Sequence, residues 1–179
     1  MAKSQEPRST IIMTNHWADL LNAKRGLESL YDVIPPLESV RLRSFHLSWR
    51  GPTITTRVDL PTYPNNPPHK WSERDHNTLQ IHLQFLAMDE LVIRGWIPPS
   101  PVDFSFSILD RRRLLTRITG AGLEVSFTCS DSLGVGHISS FRSTTSGPEE
   151  GVHSFLQPLD ARMFSSLPET YESTYYERI

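Results

Sequence analysis

From residue 39 to residue 141 apolar and polar side chains alternate with a period of two, in one short segment after another. Ile54, Val58 and Leu60 fall on one side of the first clean run, with Thr53, Thr55, Arg57 and Asp59 on the other. Leu79, Ile81, Leu83 and Phe85 alternate with Thr78, Gln80, His82 and Gln84. Val102, Phe104, Phe106 and Ile108 oppose Asp103, Ser105 and Ser107, and Leu123, Val125, Phe127 and Cys129 oppose Glu124, Ser126 and Thr128. Successive side chains of a strand point to opposite faces, so each run predicts a strand with one apolar face. Residues 39–49, 88–97 and 114–119 are further strand candidates, and 135–141 a weaker one. Arg50-Gly51-Pro52, Leu109-Asp110-Arg111 and Gly120-Ala121-Gly122 supply turns between them,.

Ahead of this region, Trp17, Leu20, Leu21, Leu27, Leu30 and Tyr31 recur at steps of three and four. That spacing predicts an amphipathic helix over residues 17–31, which Gly26 can break and which Pro35 and Pro36 end. Strands in immediate succession without intervening helices argue for an antiparallel meander. The expected fold is α+β and β-rich: an N-terminal helix packed on a twisted antiparallel meander sheet of about eight strands.

One stretch interrupts the alternation. Residues 60–71 read LPTYPNNPPHKW, with Pro61, Pro64, Pro67 and Pro68 fixing φ and removing donors, so neither helix nor central strand runs through them,. The loop is read as a rigid crossing of the sheet end, in which Trp71 tucks against the sheet and Tyr63 is left for a partner. The expected partner-binding surface joins the loop residues Tyr63, Asn65, Asn66, His69 and Lys70 to Arg57, Asp59, Gln80, His82 and Gln84 on the polar strand faces. Stiff loops with aromatics bind at low entropic cost.

Three segments are expected: a flexible leader over residues 1–15, one β-rich domain over 16–142, and a tail over 143–179. The tail carries six acids against two arginines and no sustained apolar period, which predicts disorder or loose docking,. The whole chain has 179 residues and a formal net charge of −2. That balance calls for neither nucleic acid nor an anionic membrane as partner. No apolar run reaches the roughly 18 to 20 residues of a spanning helix, and the first ten residues lack the apolar core of a secretory signal. Cys129 is the only cysteine, which excludes an internal disulfide and fits a reducing compartment, so the expected location is cytoplasmic,.

Candidate chemistry is sparse. His76 and His82 would share a strand face, but no metal-ligand spacing accompanies them. Cys129 shares the apolar parity of Phe127 and reads as a small buried hydrophobe. Arg111, Arg112 and Arg113 read as a solvated turn, and Gly134-Val135-Gly136 as a turn rather than a phosphate loop. No paired carboxylates or nucleophile–base spacing stands out.

The order of these features resembles a known family. Trp17, then LESLYDVIPPLESVRL, the Gly51-Pro52 hairpin, DLPTYPNNPPHKW and NTLQIHLQFLAMDELVIRGW are similar to the bacterial immunity protein 50 family over roughly residues 17–128. The loop, Asn77 and the strand pair ending at Gly95 are its most specific part. The resemblance implies a protein of polymorphic toxin systems that neutralises a cognate toxin protein, with no enzymatic activity and no cofactor. It makes Trp17, Pro36, Gly51, Pro52, Pro67, Pro68, Trp71, Asn77 and Gly95 motif residues whose expected role is to keep the fold. Two other classes stay open: a small-molecule binding module whose curled sheet is gated by the loop of Trp71, and an enzyme with a dispersed site.

Overall fold

The period-two runs become strands, but the strands are not ordered as a simple meander. The structure, a computed structural model, describes residues 12–13, 16–49, 51–95, 100–120, 122–144 and 149–172. It contains β1 (Ile12–Met13), β2 (Val40–Ser48), β3 (Thr53–Asp59), β4 (Thr78–Phe85), β5 (Asp89–Arg94), β6 (Ser100–Leu109), β7 (Arg113–Gly120), β8 (Leu123–Ser130), β9 (Leu133–Ser143) and β10 (Glu149–Phe155). The sheet order is β10-β9-β4-β3-β2-β6-β7-β8-β5, with β1 pairing β6. All these pairings are antiparallel. Two local meanders, β2–β3–β4 and β6–β7–β8, are thus kept. The expected single meander fails at β5 and β9: β5 leaves β4 for the edge beyond β8, and β9 returns to take β4's free edge. The turn after β4 explains the departure, since Ala87 adopts φ 52° and the Met88 amide donates to the Pro52 carbonyl at 2.7 Å, carrying the chain away from β4.

The sheet folds over on itself. β4 and β8 lie five places apart in the strand order, which in a flat sheet would separate them by about 24 Å at the usual interstrand spacing. Yet Phe85 of β4 meets Phe127 of β8 edge-on at 5.1 Å between centroids, and stacks on Phe104 of β6 at 6.4 Å. The bend falls at β6, whose first residues pair with β2 while the rest pairs with β7. Ile54, Val58, Leu79, Ile81 and Leu83 of one half therefore bury against Val102, Leu114, Ile118, Val125 and Cys129 of the other. Apolar burial of this kind drives the fold-over, each large aliphatic side chain contributing about 1.5 to 3 kcal/mol.

The expected N-terminal helix over residues 17–31 does not form. A 3-10 turn (Trp17–Leu20) and one helical turn, α1 (Arg25–Glu28), stand in its place. Leu21 bridges Leu133 instead, and the Asn22 amide donates to the Leu133 carbonyl at 3.0 Å, so the chain turns extended before α1 begins. The apolar spacing is still used: Trp17, Leu27, Leu30 and Tyr31 are buried, and Trp17 Nε1 donates to the Pro35 carbonyl at 2.8 Å. Periodicity reported which side chains enter the core, not that one helix carries them.

Part of the expected tail is described and carries regular structure. Residues 149–155 add β10 to β9, and α3 (Pro158–Met163) follows. Of the expected leader, residues 12–13 pair with β6 and the rest lies outside the described residues. So does Ile97, and the strand expected over 88–97 is described as β5 up to Arg94.

Two motif glycines differ in what they do. Gly51 has φ +69° with open space around it, whereas Gly95 has φ +71° and an added Cβ would collide with the Gly122 carbonyl oxygen. A left-handed conformation alone costs a non-glycine residue about 1 to 2 kcal/mol. Gly51→Ala is therefore expected to cost about 1 kcal/mol in urea denaturation and Gly95→Ala about 2 kcal/mol or more, because a backbone must also move. Equal costs would show that the approach at Gly95 is relieved without strain.

Candidate functional site

On the half formed by β2, β3, β4 and β9 the polar face is crowded with charge. Two bulges shape it. In β2 the register slips between Leu42 and Ser44, so the apolar series Val40, Leu42 changes phase to Phe45, Leu47 and Arg43 is turned out beside Asp59. In β9 the slip sets Gly136 and His137 against His82, and Gly136 leaves room for the His82 Cβ, which would lie 3.3 Å from an added side chain. Bulges re-aim side chains in this way at the cost of one ladder position. Arg43 grips Asp59 with Nε at 2.9 and 2.8 Å and Nη2 at 2.6 Å, both side chains being buried. Gln80, fully buried, donates from Nε2 to Asp59 at 2.8 Å and to Glu149 at 2.9 Å.

The C-terminal segment covers this face rather than leaving it to solvent. Asp160 of α3 lies 2.9 Å from His137 on β9, the Pro168 carbonyl bonds His82 on β4, Glu169 reaches Arg57 on β3 at 3.3 Å, and Thr170 meets Ser44 on β2 at 3.2 Å. The segment thus crosses four strands in sequence. Glu149, at the start of β10, lies 3.7 Å from Arg43, 3.9 Å from Arg57 and 3.5 Å from His153. Above the sheet a second apolar layer forms, in which His153 stacks on Phe141 at 4.6 Å and Phe164 meets His137 edge-on at 5.3 Å.

Burial has consequences for ionisation. His82 is driven down to about 3 by desolvation, with the charges of His137 and Arg57 adding, against the Pro168 carbonyl and Asp160. For Glu149 burial alone would raise the pKa, but hydrogen bonds from His153 and Gln80 and the charges of Arg57 and His153 outweigh it and bring the value to about 2. Both groups bind fewer protons folded than unfolded, so both withdraw stability as the pH falls. His82 acts between its ordinary 6.5 and about 3, and Glu149 between 4.5 and about 2. The urea midpoint is expected to hold above about pH 7 and to drop progressively below about 6.5. His82→Gln should flatten the fall between about pH 6.5 and 4.5; an unchanged slope there would exclude His82 as its source.

At the end of these strands the proline loop is pinned from beneath. Trp71, in α2 (His69–Ser72), is buried, as is Pro64. The Asn66 amide donates to the Leu30 carbonyl at 2.9 Å and its side chain to Asp32 at 2.7 Å. Tyr31 donates to the Thr62 carbonyl at 2.6 Å, and burial raises its pKa. Tyr63 is half-buried, its hydroxyl 3.3 Å from Ser140, while Asn65, His69 and Lys70 are exposed. His69 lies 3.2 Å from Glu73.

The family signal covers this architecture. The sequence model for immunity protein 50 matches residues 23–135, more than half of the chain, from just before α1 into β9. The chain belongs to the immunity protein 50 family. Searches of curated proteins and of solved structures returned no match.

Within the immunity protein 50 span, the predicted site residues separate into two groups. Arg57, Asp59, Gln80 and His82 come together under the C-terminal segment, with Gln84 half-buried farther along β4. Asn65, His69 and Lys70 stand free of that cover on the loop. Among the motif residues, Pro68 caps α2, Pro67 is half-buried beside it, Pro36 is exposed, and Asn77 exchanges two hydrogen bonds with the Ser143 backbone at 2.9 and 2.8 Å. Sequence reading missed Arg43, His137, Glu149, Asp160 and Glu169. Only the change of apolar phase between Leu42 and Phe45 signalled one of them.

A broad cleft of about 820 Å³, lined by Pro52, Met88, Glu90, Leu109, Asp110 and Arg113, lies at the other end of β3 from the proline loop. Trp71 is not among the residues that line it. Among the described residues no group of three or more His, Cys, Asp or Glu is placed to hold a metal ion, and no helix is long and apolar enough to cross a membrane.

Proposed function

We propose that this chain is an immunity protein that binds and neutralises a cognate toxin domain of a polymorphic toxin system, acting by occupancy without catalysis. Family membership over residues 23–135 carries the reading. Its surface chemistry agrees: the polar side chains are organised by ion pairs and hydrogen bonds on rigid strands, and Cys129, the one thiol, is buried with its pKa raised by desolvation. Such a thiol is a poor nucleophile. The test is co-expression with a toxin domain from an adjacent reading frame, where one is found. Growth should be rescued and a stoichiometric complex should elute together, whereas continued killing with no complex would overturn the reading.

Within that reading, the exposed part of the proline loop is the first contact. Asn65, His69 and Lys70 project from a loop already fixed by Trp71, Pro64 and Asn66, so little motion has to be frozen on binding. Lys70→Glu is expected to weaken toxin binding by about 1 kcal/mol or more while leaving the urea midpoint unchanged. Calorimetric titration checks this, and wild-type affinity would move the interface away from the loop.

A further inference from the structure

We propose that the outer face of β2–β3–β4 is a binding surface for an acidic peptide segment, and that residues 149–172 occupy it in this chain as an exchangeable ligand held in cis. Four observations converge. The surface residues Arg43, Arg57, Gln80 and His82 lie inside the family match, whereas the segment that covers them begins after it ends at residue 135. The main core draws its buried members from outside that segment: they run from Trp17 to Ile138, and only the partly buried Leu156 packs against it from beyond. Phe155 and Leu167, although buried, belong to the outer layer and not to that core.

The contacts themselves are those of recognition by charge. Glu149 and Glu169 supply carboxylates to Arg43, Arg57 and Gln80, and their side chains stay 23% and 41% exposed, open to water or a competitor. The fit is also incomplete. Arg57 Nε, Gln80 Oε1 and His82 Nε2 are buried on this face without a hydrogen-bond partner in the protein, a cost that docking of the present occupant leaves uncompensated,. A planar guanidinium with a spare donor, beside a carboxamide with a spare acceptor, suits a peptide carrying both carboxylate and amide groups. A toxin engaging this face would place its own acids where Glu149 and Glu169 lie; that step rests on the immunity reading.

The test needs no toxin and so fails separately from it. A protease site is inserted between Thr144 and Glu149 of the full chain, the purified protein is cut, and a labelled synthetic peptide of residues 149–172 is titrated onto the remainder. The severed piece should leave on dilution, because cutting removes its effective concentration. The remainder should keep its sheet spectrum and bind the peptide, and Glu149→Gln with Glu169→Gln in the peptide, or Arg57→Gln in the sheet, should weaken binding at least tenfold. In the uncut chain the two glutamine substitutions should speed hydrogen exchange across 149–172 at least tenfold while β6–β8 stay unchanged. Unfolding of the cut remainder, a piece that never dissociates, or a doubly substituted peptide that binds as the wild type does would each overturn the proposal.

Discussion

Replacing Trp71 with alanine is expected to lower the stability of the chain by about 4 kcal/mol, the range for removing a large buried aromatic. The ring is 2% exposed and belongs to the main core, although it comes from a loop rather than a strand. Its backbone is held as well: the Trp71 amide donates to the Pro68 carbonyl at 2.8 Å, and its carbonyl accepts from Arg74 and His76 at 3.3 Å each. The fixed φ values at Pro67 and Pro68 keep the loop from collapsing into the space left behind, so the cavity term should be paid nearly in full. Urea denaturation should show a lower midpoint at unchanged slope. A loss under about 1 kcal/mol would mean that the loop relaxes and that Trp71 is not the anchor.

The second large effect is expected at Asp59. Asp59→Ala leaves the Arg43 guanidinium, 8% exposed, beside Glu149 at 3.7 Å and the Phe141 ring at 5.3 Å but without its closest carboxylate. Stranding a buried charge in this way costs about 3 to 5 kcal/mol, more than the pair itself is worth. The double change Arg43→Met with Asp59→Leu should therefore be milder than Asp59→Ala alone, because no charge is then stranded. A double variant at least as unstable as the single one would show that the ion pair contributes net stability beyond its own desolvation.

What could be read from the residues depended on how local the cause was. β3, β4, β6, β7 and β8 announce themselves because alternation within eight or so residues is a property of the strand itself. The burial of Trp71 was equally legible from its place beside a rigid proline loop. Arg43 and His137 were not, since a bulge moves one side chain to the other face and leaves composition untouched. The helix over residues 17–31 was misread for a related reason: Trp17, Leu27 and Tyr31 needed burial, and an extended step at Leu21 pairing with Leu133 met that need. The C-terminal segment was hardest. EEGVHSF has no clean alternation, and the segment's partners, Arg43, Arg57 and His137, are side chains brought together only by the finished sheet. An acidic stretch looks disordered until the cations that receive it exist.

The return of β9 to β4 also sets an order of events on the ribosome. β6, β7 and β8 are joined by tight turns and can zip together as each emerges. β4 can pair with β3 in the same way, but its outer edge, from Thr78 to Phe85, pairs with residues 133–141 and so stays open through the synthesis of the whole intervening half. Nascent chains stalled before residue 133 should hold an open, apolar strand edge, the kind that recruits other chains. Closure then requires a long loop to be ordered at once, which places folding in the slower regime of non-local β topologies, roughly milliseconds to seconds.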